Sequence, residues 1–98
     1  MDPQNNDELV DGVVEQAKQI FKNMDAVLQA AGCTNKEVVK VTVFMVDLKD
    51  YAAVNEEYAK YFGDWKPARS AVEVSQLPKG ACVEVEAVAV LPASKSRL

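Results

Sequence analysis

The chain has 98 residues, of which 49% are hydrophobic, and its 15 acidic and 11 basic side chains leave a formal charge of −4. This is one ordered domain, able to bury roughly 65% of its unfolded surface. An acidic balance without a basic stripe argues against nucleic acid as a partner, no apolar run is long enough to span a bilayer, and the acidic, polar start does not read as a secretory signal or transit peptide.

From Asp7 to Ala31, apolar residues fall at Leu9, Val10, Val13, Val14, Ala17, Ile20, Phe21, Met24, Val27, Leu28 and Ala31. This spacing predicts a long amphipathic helix, capped by Asn6 or Asp7 and stopped at Gly32. Lys18, Lys22, Asp25 and Gln29 take its solvent side, and the apolar stripe is read as core packing. Residues 38–48 form the clearest strand, with Val39, Val41, Val43 and Met45 on one face. The other face begins with Lys40 and Thr42, then turns apolar at Phe44, Val46 and Leu48. A strand apolar on both sides must be covered on both sides. The two helices of this chain cover one side, so the other is expected to meet another subunit.

Asp50 is placed to cap a second helix, Tyr51 to Phe62, with Tyr51, Val54, Tyr58 and Phe62 inward and Gly63 as its stop. Asp64-Trp65-Lys66-Pro67 is a loop, because the residue before proline is pushed towards extended backbone. Trp65 is read as an aromatic covering the surface rather than a stacking platform for a ligand. Beyond it, two alternating strands are joined by a Leu77-Pro78-Lys79-Gly80 turn and read as a hairpin. Val72 and Val74 match Val83, Val85, Ala87 and Ala89, and the other face carries Arg69, Glu73, Glu84 and Glu86. The order α–β–α–β–β predicts an α/β layered fold, two helices on one face of a mixed sheet. Residues 1–92 are read as a single domain and 93–98 as a flexible tail.

Histidine is absent, which removes Ser-His and Cys-His nucleophile pairs and any imidazole base or ligand. Cys33 and Cys82 form no C-x-x-C and cannot make a zinc site, and Cys82 reads most simply as a small buried hydrophobe. What remains is a guanidinium near carboxylates on a sheet face, suited to binding a small carboxylate and orienting a water. On spacing alone, a solvated polar face is the more frequent outcome.

Pro67-Ala68-Arg69-Ser70, then Leu77-Pro78-Lys79-Gly80, then Val83-Glu84-Val85-Glu86-Ala87 resembles the signature of the Rid family of imine deaminases. Ala31-Gly32-Cys33, residues 38–44, Asp47-Leu48-Lys49-Asp50-Tyr51 and Val54-Asn55 resemble further Rid segments in their usual order. The resemblance implies a chorismate-mutase-like fold and a homotrimer with ligand clefts between neighbours. It also implies hydrolysis of 2-iminopropanoate and 2-iminobutanoate to 2-oxo acids and ammonia, with no metal or organic cofactor. Arg69 and Glu84 become the expected catalytic residues, the first clamping the substrate carboxylate and the second holding the attacking water. Arg69, Ser70 and Cys82 are the expected substrate contacts.

Three departures stand out. Ala71 occupies a position where several relatives carry a cysteine, Lys66 replaces an aromatic that often precedes the proline, and Met1-Asp2-Pro3 resembles the stretch after the family's second strand. An N-terminal hairpin of roughly 30 residues is therefore expected to be absent. That raises a second reading, a non-catalytic module for small carboxylates or proteins. A ribonuclease or translation inhibitor is the weakest reading, given the acidic charge and missing histidine. The cytosol is the expected location, with a peroxisomal alternative because Ser96-Arg97-Leu98 resembles the S-K-L address.

Overall fold

The structure is a computed structural model that describes residues 12–91. Its elements are α1 (Val13–Ala30), β1 (Val38–Met45), α2 (Tyr51–Phe62), β2 (Ala68–Glu73) and β3 (Val83–Ala89). Short 3₁₀ turns occupy Asn35–Glu37, Leu48–Asp50 and Pro78–Gly80. The order is the expected one, and both helices lie on one face of a mixed sheet. The caps Asn6 and Asp7, the tail 93–98 and Ser96-Arg97-Leu98 lie outside the described residues. Among the described residues no helix is long and apolar enough to cross a membrane.

The apolar stripe of α1 drives Ala17, Phe21 and Leu28 into the core. The helix ends in a Schellman motif, with the Gly32 N–H bonded to the Gln29 carbonyl and the Cys33 N–H to that of Leu28. Gly32 has φ 81°, a conformation that glycine adopts without the Cβ clash other residues meet. At the other end Gln16, buried on α1, accepts the Cys82 backbone N–H at 2.8 Å. This bond pins the start of α1 to the start of β3.

β1 is the central strand, with Val38, Val41 and Met45 fully buried beneath the helices. A register shift between Val38 and Lys40 turns Val38 inward and leaves Val39 exposed, which corrects the expected run beginning at Val39. Phe21 anchors an aromatic cluster, stacked on Tyr61 at 5.4 Å and edge-on to Tyr58 and Phe62 at 6.1 Å. Such pairs add about 0.5–1.5 kcal/mol each beyond the area they bury.

The sheet order is β2-β1-β3, which corrects the expected hairpin. β2 runs parallel to β1 through the α2 crossover, and β3 pairs antiparallel on β1's other side. The segment from Val74 to Cys82 is too long for a tight turn and instead passes the end of β1. There the Val74 N–H bonds the Met45 carbonyl and the Val46 N–H bonds the Cys82 carbonyl. The two outer strands are therefore each stitched to β1 rather than to one another.

The second helix covers the expected span, but its start differs. The Asp50 side chain makes no capping bond, and Asp47 instead accepts the Lys49 N–H at 2.9 Å to begin the preceding 3₁₀ turn. Tyr51 points away from the core, while Val54, Tyr58 and Phe62 are buried as expected. Trp65 is partly exposed and donates its indole N–H to the Val38 carbonyl at 2.7 Å, a covering role consistent with its expected one.

Candidate active site

Arg69 pairs with Val41, whose side chain faces the helices, so Arg69 rises on the same side at the edge of the sheet. It meets one stripe of α2, Tyr51, Asn55 and Tyr58, spaced i, i+4 and i+7 so that all three lie on one helix face. Nη1 donates to the Asn55 amide oxygen and Nη2 to the Tyr51 hydroxyl at 2.7 Å. The guanidinium carbon sits 4.5 Å from the Tyr58 ring centroid and 5.5 Å from that of Tyr51. Burial raises the Tyr58 pKa, and the neighbouring Arg69 charge only partly offsets it, so the phenol stays neutral beside the cation.

Every group that holds Arg69 is neutral, and among the described residues no carboxylate pairs with it. A guanidinium has five N–H donors, and two bonds leave donors and the full charge for an anion. The aromatic faces favour the cation without competing for those donors. A cleft of about 420 Å³ opens beside it, bordered by Asn55, Tyr58, Trp65 and Lys66. Chemically, such an arrangement can accept a carboxylate on its remaining N–H groups.

The other expected site residues stand elsewhere. Val83, Val85 and Ala87 pack towards α1, so Glu84 and Glu86 leave the sheet on the opposite face. Ser70 alternates with Arg69 and lies in one row with Thr42 and Glu86 on that same bare face. Glu73 is occupied, accepting the Leu48 N–H at 3.1 Å. Cys82 lies beyond the Val83–Met45 pair, whereas Arg69 pairs with Val41. That is at least four strand positions, roughly 13 Å, along the sheet. The shared polar face read from the sequence is thus corrected. It assumed a β2–β3 hairpin, and inserting β1 while matching Arg69 to Val41 puts Arg69 and Glu84 on opposite sides. Tyr51 and Asn55 were missed as site residues, although their i, i+4 spacing on α2 was visible. Among the described residues no three cysteine or acidic side chains gather closely enough to hold a metal ion.

The sequence profile of the family described as endoribonuclease L-PSP matches residues 1–91. A human 2-iminobutanoate/2-iminopropanoate deaminase is 49% identical over 90 residues, which cover 92% of this chain and 66% of that protein. A RutC family protein of Pyrococcus horikoshii is 46% identical over 91% of this chain and 71% of its own length. Among solved structures, a Rid family protein from Yersinia pestis superposes with a TM-score of 0.85 at 45% identity, covering 89% of this chain and 71% of that one. TdcF from E. coli, solved with bound serine, gives 0.84 at 39% identity, covering 92% and 72%. The chain spans about two thirds to seven tenths of the length of these proteins. With a profile match over nearly its whole length, a relative 49% identical in sequence and a Rid family structure that superposes with a TM-score of 0.85, the chain belongs to the Rid family.

Proposed function

We propose that this chain hydrolyses small 2-imino acids, 2-iminobutanoate and 2-iminopropanoate, to the 2-oxo acids and ammonia. The observation that carries this reading is Arg69, a guanidinium fixed by the neutral Tyr51 and Asn55 and left without a carboxylate partner among the described residues. The name of the human relative supports the choice of substrate.

The chemistry asks for position more than for reactive groups. An iminium carbon is already electrophilic. Water adds to it and loses a proton, and the resulting carbinolamine expels ammonia as the C–N bond breaks and C=O forms. Arg69 would hold the substrate carboxylate, and Glu84 would hold the water and take its proton. Fixing both reactants can supply most of the acceleration needed. Ser70 and Cys82 stand apart from Arg69 within one copy, so they are proposed as secondary contacts supplied, on the family resemblance, by an adjoining copy.

Because Arg69 and Glu84 project from opposite faces, one copy cannot bring both to one ligand. The reading therefore requires Glu84 from an adjoining copy, and a homotrimer is the proposed assembly. The bare sheet face supports association, since it carries Phe44, Val72 and Val88, with Val72 and Val88 each at least 40% exposed.

The test is to generate 2-iminobutanoate enzymatically and follow its loss with this chain, with Arg69→Ala and with Glu84→Gln. Accelerated loss by the unaltered chain alone is the expected result. Loss no faster than the uncatalysed control, together with retained binding of 2-oxobutanoate, would make the chain a carboxylate-binding module without turnover.

A further inference from the structure

The cleft beside Arg69 holds a second cation. Lys66 lies on the loop between α2 and β2 and lines the same cavity of about 420 Å³. Of the described residues that line it, none carries a carboxylate. Neither cation forms an ion pair among the described residues. The chain has more acidic than basic side chains and a net charge of −4, so two cations in a cleft to which the same copy's described residues bring no carboxylate run against its composition. Such a pair concentrates positive potential where the low-dielectric walls of Tyr58 and Trp65 screen it least.

Geometry limits what such a pair can hold. Lys66 and Arg69 are three residues apart, Lys66 in the loop before β2 and Arg69 within it, so their backbones lie at most about 11 Å apart. Their long side chains can close that gap to the span of a four- or five-carbon dicarboxylate. A monoanionic ligand such as 2-iminobutanoate engages Arg69 and leaves the Lys66 ammonium unused.

We propose that Lys66 makes this cleft selective for 2-imino acids, and their 2-oxo products, that carry a second acidic group on the side chain. The inference rests on the reading of Arg69 as the carboxylate anchor and names the substrate class of that same site. In this arrangement Arg69 takes the carboxylate beside the imine with its planar fork, and Lys66 takes the distal carboxylate as a mobile point charge. Lys66 is then a specificity-determining residue that takes no part in the chemical step.

Binding and turnover are measured separately, so that failure of the hydrolysis reading and failure of this inference can be told apart. Affinities for 2-oxoglutarate and 2-oxobutanoate are determined by calorimetry at low ionic strength on the whole chain and on Lys66→Gln. The expected result is tighter binding of 2-oxoglutarate, and a loss on Lys66→Gln about tenfold larger for 2-oxoglutarate than for 2-oxobutanoate. Lys66→Arg should restore most of that difference. Removal of the imines made by oxidising aspartate and 2-aminobutyrate should follow the same order. If the Lys66 dependence of binding appears without any turnover, the inference stands and the hydrolysis reading falls. Equal losses for the two ligands would overturn the inference. So would an effect of Lys66→Gln on thermal stability alone, which would assign Lys66 to the carbonyl end of α2.

Discussion

Arg69 and Glu84 leave the sheet on opposite faces, from strands separated by β1, with Val41 pairing the first and Phe44 the second. Any ligand that meets both must lie between copies of the chain, and the assembly then becomes part of the active site.

The bare face should therefore drive association. Phe44 is half-buried at its centre, flanked by Val72 on β2 and Glu84 on β3. Replacing Phe44 with Glu buries a charge at the proposed interface and is expected to give monomers in sedimentation velocity at micromolar concentration. Imine hydrolysis should disappear with the oligomer. An unaltered chain that sediments as a stable monomer would remove the proposed assembly.

Arg69 is expected to tolerate no replacement well. Arg69→Ala should lower kcat/KM for 2-iminobutanoate by about a hundredfold or more, the loss of a charge-assisted carboxylate contact. Arg69→Lys should recover little of it, because an ammonium cannot match the planar fork or keep both bonds to Tyr51 and Asn55. Steady-state kinetics at equal oligomeric state provides the comparison.

Tyr51 and Asn55 both accept hydrogen bonds from Arg69, which under the proposed function makes them positioning residues. Tyr51→Phe keeps the ring near the guanidinium and removes only the 2.7 Å hydroxyl contact. It should raise KM about three- to tenfold while kcat changes less. Asn55→Ala should do the same, and the two changes together should cost less than their sum because both orient one group. A fall in kcat with KM unaffected would place these residues in the chemical step instead.

Much of the fold was legible in the sequence. The stripe in α1 placed Ala17, Phe21 and Leu28 in the core, although its Val27 is 69% exposed; Gly32 and Gly63 marked helix ends, and the run from Tyr51 to Phe62 gave α2 its observed limits. Strand pairing was not legible. Period-2 alternation says which residues share a face within one strand, but not which strand lies alongside. The Leu77–Gly80 segment looked like a hairpin turn, and only the bonds from Val74 and Val46 to the end of β1 reveal that β1 intervenes. The site inherited this error. Arg69 was identified by its surroundings in sequence, yet its partners Tyr51 and Asn55 come from a helix 14–18 residues upstream. Tyr51 looked apolar and inward because a tyrosine at a helix start fits either side of the amphipathic boundary.

The alkaline limb of stability should report on Tyr61. Its pKa is raised well above 10.0 by burial first, and then by the hydrogen bond its hydroxyl donates to Asp25 at 2.8 Å. A raised folded value means that this stabilisation is complete below pH 10 and is lost as pH climbs above it, where the unfolded chain releases the proton first. Tyr61→Phe should flatten the fall of the denaturant midpoint above pH 10. Parallel curves for the two proteins would contradict this assignment.

The most direct measurement mixes two disabled chains. Arg69→Ala and Glu84→Gln are each expected to be inactive in imine hydrolysis, because every site lacks one of its two groups. Unfolding them together and refolding at equal amounts should restore roughly a quarter of the unaltered activity, since a site regains function when an intact Arg69 from one copy meets an intact Glu84 from the next. Activity that stays at the level of the separate variants, in oligomers shown by mass spectrometry to contain both chains, would contradict the claim that Arg69 and Glu84 act together across copies.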